Sequence, residues 1–403
     1  MARGKSGAGG CLVTLLLLVA LVVAVGYATG LVSRFQYVLS GAQDRGVEAV
    51  EQGFEARVEA EFEDRYYAYS QLDDEGQRCY RIMYDAFCSR EPRSYPENGE
   101  DRLSEIRACI VADHPELFYV EGVRFSTTYN QVTELVSDAT VEGTFFFDED
   151  EAASAQAQID VVVASFLATV PQDADDYTKA KLAYDFIVKR AAYDHGAAAA
   201  LDWYDGEGRA PGQTIDDVFL RGAAVCAGYS AAYQYLLQHM GIQCVQVRGV
   251  ADGVGHAWCI ALLDGEYYQI DPTWGDPQFL DEEFSVGDGF VNYDYLAVTT
   301  DDMSTTHVAD EAFAIPLCVS TEDNYFVREG LLFDWVDTGR FGRLVSDAEA
   351  VGDLVVQIRC STDEAYQELL DGFVMTGDLG YSLSDGEYRF SYNDNLQTIT
   401  VFL

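Results

Sequence analysis

Asp264-Gly265 stands between two strand-like runs, Gly255-His256-Ala-Trp258-Cys259-Ile-Ala-Leu-Leu263 and Glu266-Tyr-Tyr-Gln-Ile-Asp271. An Asp-Gly pair in that position signals a two-residue hairpin turn. If Leu263 pairs with Glu266, the register places Trp258 opposite Asp271 and His256 opposite Thr273. His256 and Asp271 then become diagonal neighbours on one sheet face, within side-chain reach of each other.

A nucleophile for that pair comes earlier in the chain. Between Ala223 and Gly241, the residues Tyr229, Tyr233, Leu236, Leu237 and Met240 mark one face of a buried helix, and Gly241 is its natural stop. Cys226 falls at or just before the helix N-terminus, where the dipole and unpaired N–H groups favour negative charge on sulfur or on an oxyanion. Alone, a buried cysteine is most often a small core hydrophobe. With His256 and Asp271 it completes a triad in which the carboxylate orients the imidazole and the imidazole takes the thiol proton. The competing reading keeps His256 as a core histidine and Asp271 as the turn residue before Pro272.

The order Val225-Cys226-Ala-Gly228-Tyr229, then Gly255-His256-Ala-Trp258, then Ile270-Asp271-Pro-Thr273-Trp274-Gly-Asp276-Pro277 resembles the transglutaminase-like superfamily, in particular its bacterial exported members. The resemblance covers about residues 150–310. It implies an α+β fold with a papain-like core, a cysteine-bearing helix packed on an antiparallel sheet. By that similarity Cys226 is the nucleophile, His256 the general base and acid, and Asp271 the orienting carboxylate. Trp258 and Trp274 would wall the cleft, with Tyr229 a further wall residue. Tyr193-Asp194 and Asp113-His-Pro-Glu-Leu-Phe-Tyr119 resemble segments that flank such cores. Many members carry Asn after His-Ala-Trp, where this chain has Cys259. Alternation turns Cys259 away from His256 and leaves open whether it oxidises or pairs with Cys244.

After Arg3 and Lys5, an uncharged apolar run extends from about Cys11 to Val32, roughly the ~20 residues a helix needs to cross a bilayer. Basic residues before it favour a cytoplasmic N-terminus and export of the remainder. Gly26 and Ala28 offer a cleavage site that would instead release a secreted protein. The expected organisation is a membrane anchor over 1–33, an α+β N-terminal region over 34–149, the core over 150–310 and a small α+β domain over 311–403. The N-terminal region contains an amphipathic helix carrying Val50, Phe54, Val58, Phe62 and Tyr66, then strands between Val123 and Phe147. The core opens with a helix started by Asp148–Glu151. The last domain holds a strand at Leu354–Ile358, a helix at Asp363–Phe373 and a hairpin around Asn393-Asp394-Asn395.

Sixty-eight acidic against 25 basic residues give a formal net charge of −43. Such a field repels phosphate backbones and excludes nucleic acid as a partner class. It chiefly solvates the surface; a high-salt habitat or a cationic substrate is the sharper alternative. Nine cysteines without a CxxC pair give neither a disulfide scaffold nor a structural zinc site, and no metal or cofactor is expected. His239 reads as a cation at a helix end, His307 as a loop residue after Asp301-Asp302-Met303, and His114 and His195 carry little weight.

The expected activity is that of an exported, membrane-anchored thiol enzyme acting on peptide or protein amide bonds through an acyl-enzyme at Cys226. Hydrolysis is favoured over cross-linking, because water is the default acceptor in an open cleft and the four lysines (Lys5, Lys179, Lys181, Lys189) make self-cross-linking poor. The alternative is a catalytically weak or inactive papain-like module serving as a cell-envelope binding or scaffold protein.

Overall fold

In the computed structural model, which describes residues 62, 64–96, 102–129, 136–201, 208–276, 290–310 and 312–403, the Asp264-Gly265 hairpin has the register its turn dictates. Asp264 (φ 48°) and Gly265 (φ 96°) are both left-handed, as a tight hairpin turn requires. The ladder runs from Leu263↔Glu266 to Cys259↔Ile270 and stops there. Asp271 leaves the ladder before Pro272, which has no N–H to continue it. His256 therefore does not face Thr273 as the extrapolated register has it; its cross-strand partner is Gly249.

The anchor read over 1–33, and all but the last positions of the amphipathic helix after it, lie outside the described residues. Among the described residues no helix is long and apolar enough to cross a membrane. From Asp74 onward come helices α1 (Asp74–Ser89) and α2 (Leu103–Asp113), then the antiparallel pair β1 (Val120–Tyr129) and β2 (Val136–Phe145). Next are α3 (Glu149–Leu167), α4 (Asp176–Arg190) and the cysteine helix α5 (Cys226–His239). Strands β3 (Cys244–Ala251), β4 (Val254–Leu263), β5 (Glu266–Ile270) and β6 (His307–Ala309) form an antiparallel sheet in the order β5-β4-β3-β6. The chain ends with α6 (Thr338–Val351), β7 (Val355–Cys360), α7 (Asp363–Leu369), β8 (Arg389–Asn393) and β9 (Thr398–Phe402).

Local chemistry sets the helix starts. Asp148 accepts from the Glu151 N–H at 2.8 Å while the Glu151 carboxylate takes the Asp148 N–H at 3.0 Å, a reciprocal cap. Helix α5 has no such cap, since Val225 offers no side-chain acceptor, so first-turn N–H groups beside Cys226 are left for other partners. Its residues from Ala227 to Gln238 are all buried; a helix wrapped on every side is a core element, not the one-faced helix the spacing alone suggests. Gly241 follows at φ 80°, as its stop residue should.

Buried amides fix α5 in place. Gln234 Nε2 donates to the carbonyls of Ala112 (2.6 Å) and Cys244 (2.9 Å), and Gln238 Nε2 to that of Asp113 (2.8 Å). These bonds tie the N-terminal region, α5 and β3 together. A second apolar core around Phe333, Phe341, Ile358, Tyr366 and Ile399 organises the C-terminal elements. They reach the segment after the catalytic hairpin through Gln357 to Asn292 Oδ1 (2.9 Å) and Asn393 to Asp294 Oδ2 (3.1 Å).

Candidate active site

His256 Nε2 donates to Asp271 Oδ2 at 2.7 Å. This leaves Nδ1 of the ring for the Cys226 thiol, which is hydrogen-bonded to the same imidazole. Three elements supply the trio: the first residue of α5, the third of β4, and the residue immediately after β5. The side chains of His256 and Asp271 are almost fully buried, at 5% and 0% exposure, whereas Cys226 is partly exposed. The residue that carries the sulfur is thus partly open to solvent, and the charge pair is not.

Asp271 is satisfied on both oxygens. Oδ1 accepts the backbone N–H groups of Thr273 (2.8 Å) and Trp274 (3.4 Å). Oδ2 accepts His256 and also His307 Nε2 at 3.2 Å. Burial acts to raise the Asp271 pKa, but the two histidines outweigh it and hold the carboxyl well below the usual range. For His256, burial disfavours the charged ring, yet the attraction and hydrogen bond of Asp271, with Cys226 beside it, push its pKa up to about 10. The favoured state is an imidazolium between a carboxylate and the sulfur.

Backbone contacts hold the carboxylate still. The Asp271 N–H donates to the Tyr295 carbonyl at 3.0 Å. The Tyr184 hydroxyl lies 3.1 Å from the Asp271 carbonyl and 3.0 Å from that of Asn292.

Sequence reasoning missed His307. It is not in a loop but opens β6, where it pairs with Ala251 at the far edge of the sheet. Its Nδ1 faces the Thr306 hydroxyl at 2.8 Å, which makes it the acceptor there and leaves Nε2–H to donate to Asp271. His256, Asp271 and His307 are also the group whose ligand atoms could converge on a metal. Their N···O separations of 2.7 and 3.2 Å are hydrogen-bond lengths.

The expected cleft walls need correction. Tyr229 is fully buried, its hydroxyl 2.6 Å from Asp276 Oδ2 and 3.0 Å from the Ala191 carbonyl, so it has no ring face for a substrate. Trp258 is 1% exposed and donates from Nε1 to Gln269 at 2.7 Å; it packs beneath the histidines, 5.1 Å from the His307 ring. Trp274 sits 6.0 Å from the His256 ring and edge-on to Tyr295. Tyr193, half-buried, is close enough that after burial the negative charges of Cys226 and Asp271 push its phenol pKa upward. Cys259 turns away from His256, as alternation expects, and donates to the Ser230 carbonyl. Cys259 and Cys244 are both free thiols.

Cysteine at a helix start, imidazole on a facing strand and carboxylate behind it define a papain-like thiol enzyme core. Residues 166–272, which include all three groups, match the sequence model of the Transglutaminase-like superfamily. The match is to this segment alone, and the segment carries the whole trio. The kyphoscoliosis peptidase of Mus musculus is 32% identical over 62 residues, a match covering 12% of this chain and 9% of that protein. Among solved structures, a TGase is similar at TM-score 0.28 and 17% identity over 49% of this chain and 52% of the other. A proposed cysteine protease from Cytophaga hutchinsonii is similar at TM-score 0.24 and 13% identity over 38% and 62%.

Proposed function

We propose that the protein cleaves amide bonds in peptides or proteins through a thioester at Cys226. The observation that carries this reading is the single imidazole shared by a partly exposed thiol on one side and a buried, fully hydrogen-bonded carboxylate on the other. Sulfur attacks the amide carbonyl, and the His256 imidazolium passes its proton to the departing amine. Water then loses a proton to His256 as it attacks the thioester, releasing a carboxylic acid and the free thiol. N–H groups at the start of α5 are placed to receive the oxyanion of both tetrahedral intermediates. Hydrolysis is favoured over transfer to an amine because Cys226 is partly exposed and water is the default acceptor. The apolar run at Cys11–Val32 supports a membrane-anchored protein with its catalytic part outside the cytoplasm.

The test is site-resolved alkylation of the reduced full-length protein by iodoacetamide, followed by mass spectrometry. Cys226 should label fastest, and His256→Ala should abolish that preference. Equal labelling of Cys226 and the buried cysteines, unaffected by the substitution, would sink the proposal. Amide substrates assayed with and without added amine then separate hydrolysis from transfer, and membrane fractionation tests the anchor.

A further inference from the structure

Two cavities, of about 230 and 400 Å³, share four lining residues, Arg107, Val111, Gln246 and Arg248. The same two arginines therefore line both cavities. Gln246 connects this lining to the nucleophile, because its Nε2 donates to the carbonyl of Ala227, the residue after Cys226, at 2.9 Å. Arg248 stands opposite Ala257, the residue after His256, and lies within electrostatic reach of Cys226.

The charges on this wall are unusual for the chain. In a protein of net charge −43, neither arginine is ion-paired among the described residues. Arg107 donates to the Glu121 carbonyl at 3.2 Å. Asp310 lines the smaller cavity and meets Arg248 through its backbone N–H. Arg248 is solvent-accessible by area yet surrounded by protein on most sides, as befits a cavity wall. That crowding first, and the like charge of Arg107 second, pull its pKa down. Cys226 and Asp310 act on Arg248 electrostatically without forming an ion pair with it, so the two like charges lining the cavities still favour an anion there, and planar carboxylates fit the fork geometry of a guanidinium.

Building on the acyl-enzyme reading above, we propose that the wall lined by Arg107 and Arg248 binds an acidic side chain of the acyl-donor peptide. The lining beyond the shared residues, Ser104 and Ile315 in one cavity and Leu117 and Phe146 in the other, leaves room for more of a peptide, which suits a residue inside a chain better than a terminal carboxylate. The overall negative field and this local positive wall act together: the first repels anions in general, and the second admits them at one place beside Cys226.

The experiment compares iodoacetate with iodoacetamide, an anionic and a neutral alkylator of one size, on Cys226 of the full-length protein. The iodoacetamide rate reports the nucleophile and therefore tests the acyl-enzyme reading; the ratio of the two rates tests the arginine wall. In Arg248→Gln and in the Arg107→Gln/Arg248→Gln double variant, the ratio of the iodoacetate to the iodoacetamide rate should fall about threefold or more, whatever change the lost charge makes to the iodoacetamide rate itself. The loss should shrink in high salt. An unchanged ratio overturns the proposal.

Fluorescence anisotropy gives a second readout that needs no reactive thiol. Three short peptides are compared: one with glutamate and blocked ends, its glutamine counterpart, and the glutamine peptide with a free C-terminal carboxylate. The glutamate peptide should bind about threefold tighter or better, with the advantage lost in the double variant. Equal binding, or an advantage confined to the free carboxylate, overturns the side-chain assignment.

Discussion

Replacing Asp271 by Asn changes almost no volume, and the structure makes it severe. The carboxylate accepts four hydrogen bonds, two on each oxygen. An amide has one acceptor atom, so its NH2 must face two donors whichever way it is turned. Turned towards Thr273 and Trp274 it meets backbone N–H groups that cannot rearrange. Turned towards the histidines it can be accommodated if His256 moves its proton to Nδ1 and accepts at Nε2. Two bonds to a charged acceptor, about 1.5–3 kcal/mol each, are then exchanged for one weaker neutral bond, a net loss of about 2–5 kcal/mol. That tautomer presents an N–H to the sulfur in place of a base, and turnover should drop by about a thousandfold or more. Urea unfolding at neutral pH measures the first quantity, and amide turnover with Cys226 alkylation measures the second. A variant within about 1 kcal/mol of the parent that also alkylates at the parental rate would refute the four-donor account.

Stability should depend on pH with both signs. Asp271, its pKa depressed, contributes above its unfolded value of about 3.9, and that contribution is lost as pH falls. His256 contributes fully below its unfolded value of about 6.5, and its contribution fades as pH rises through about 10. Melting temperatures across pH should flatten on the alkaline side in His256→Gln, and an unchanged alkaline limb would contradict the assigned pair. His307→Ala removes one donor from Asp271 and opens a buried space; a loss of about 2–4 kcal/mol and a slower Cys226 alkylation are expected, with neither seen if His307 is only packing. In Gly228→Ala the new Cβ would stand 2.5 Å from the Gly212 carbonyl oxygen and 2.8 Å from Ala224 Cβ. This clash of about 1–3 kcal/mol outweighs the ~1 kcal/mol that helix propensity returns, so denaturant midpoints should fall. Tyr229→Phe should cost about 1–3 kcal/mol by removing one hydrogen-bond donor from the buried Asp276 while leaving the KM of a peptide substrate unchanged, and a raised KM would restore Tyr229 to the cleft.

The Cys-His-Asp constellation was legible because each part depends on local rules. A two-residue Asp-Gly turn sets the pairing of the residues on either side of it, so the approach of Asp271 to His256 follows from counting. The cysteine helix shows in its spacing and its glycine stop, and the turn of Cys259 away from His256 follows from the pleat. The helix that opens after Asp148 is likewise written in its reciprocal cap. Where local rules end, the extrapolation failed: the ladder closes at Ile270, and Thr273 never meets His256.

Everything decided by contacts between distant segments lay beyond that reach. His307 is 36 residues from Asp271 and arrives only because β6 pairs with β3, an association no turn encodes. Arg107 and Arg248 belong to α2 and β3 and meet only when the N-terminal region packs against the sheet. Tyr229 and Trp258 look like cleft walls in sequence because aromatic rings suit both a wall and a core. Only packing on all sides, with Asp276 and Gln269 taking up their polar ends, settled them as core. The sequence by itself determined where Cys226, His256 and Asp271 stand in their elements, since short-range geometry is set by turns and periodicity. Tertiary structure decided the second histidine, the arginine-lined cavities and the burial of the aromatic rings, since non-local pairing selects among neighbours that local chemistry leaves equivalent.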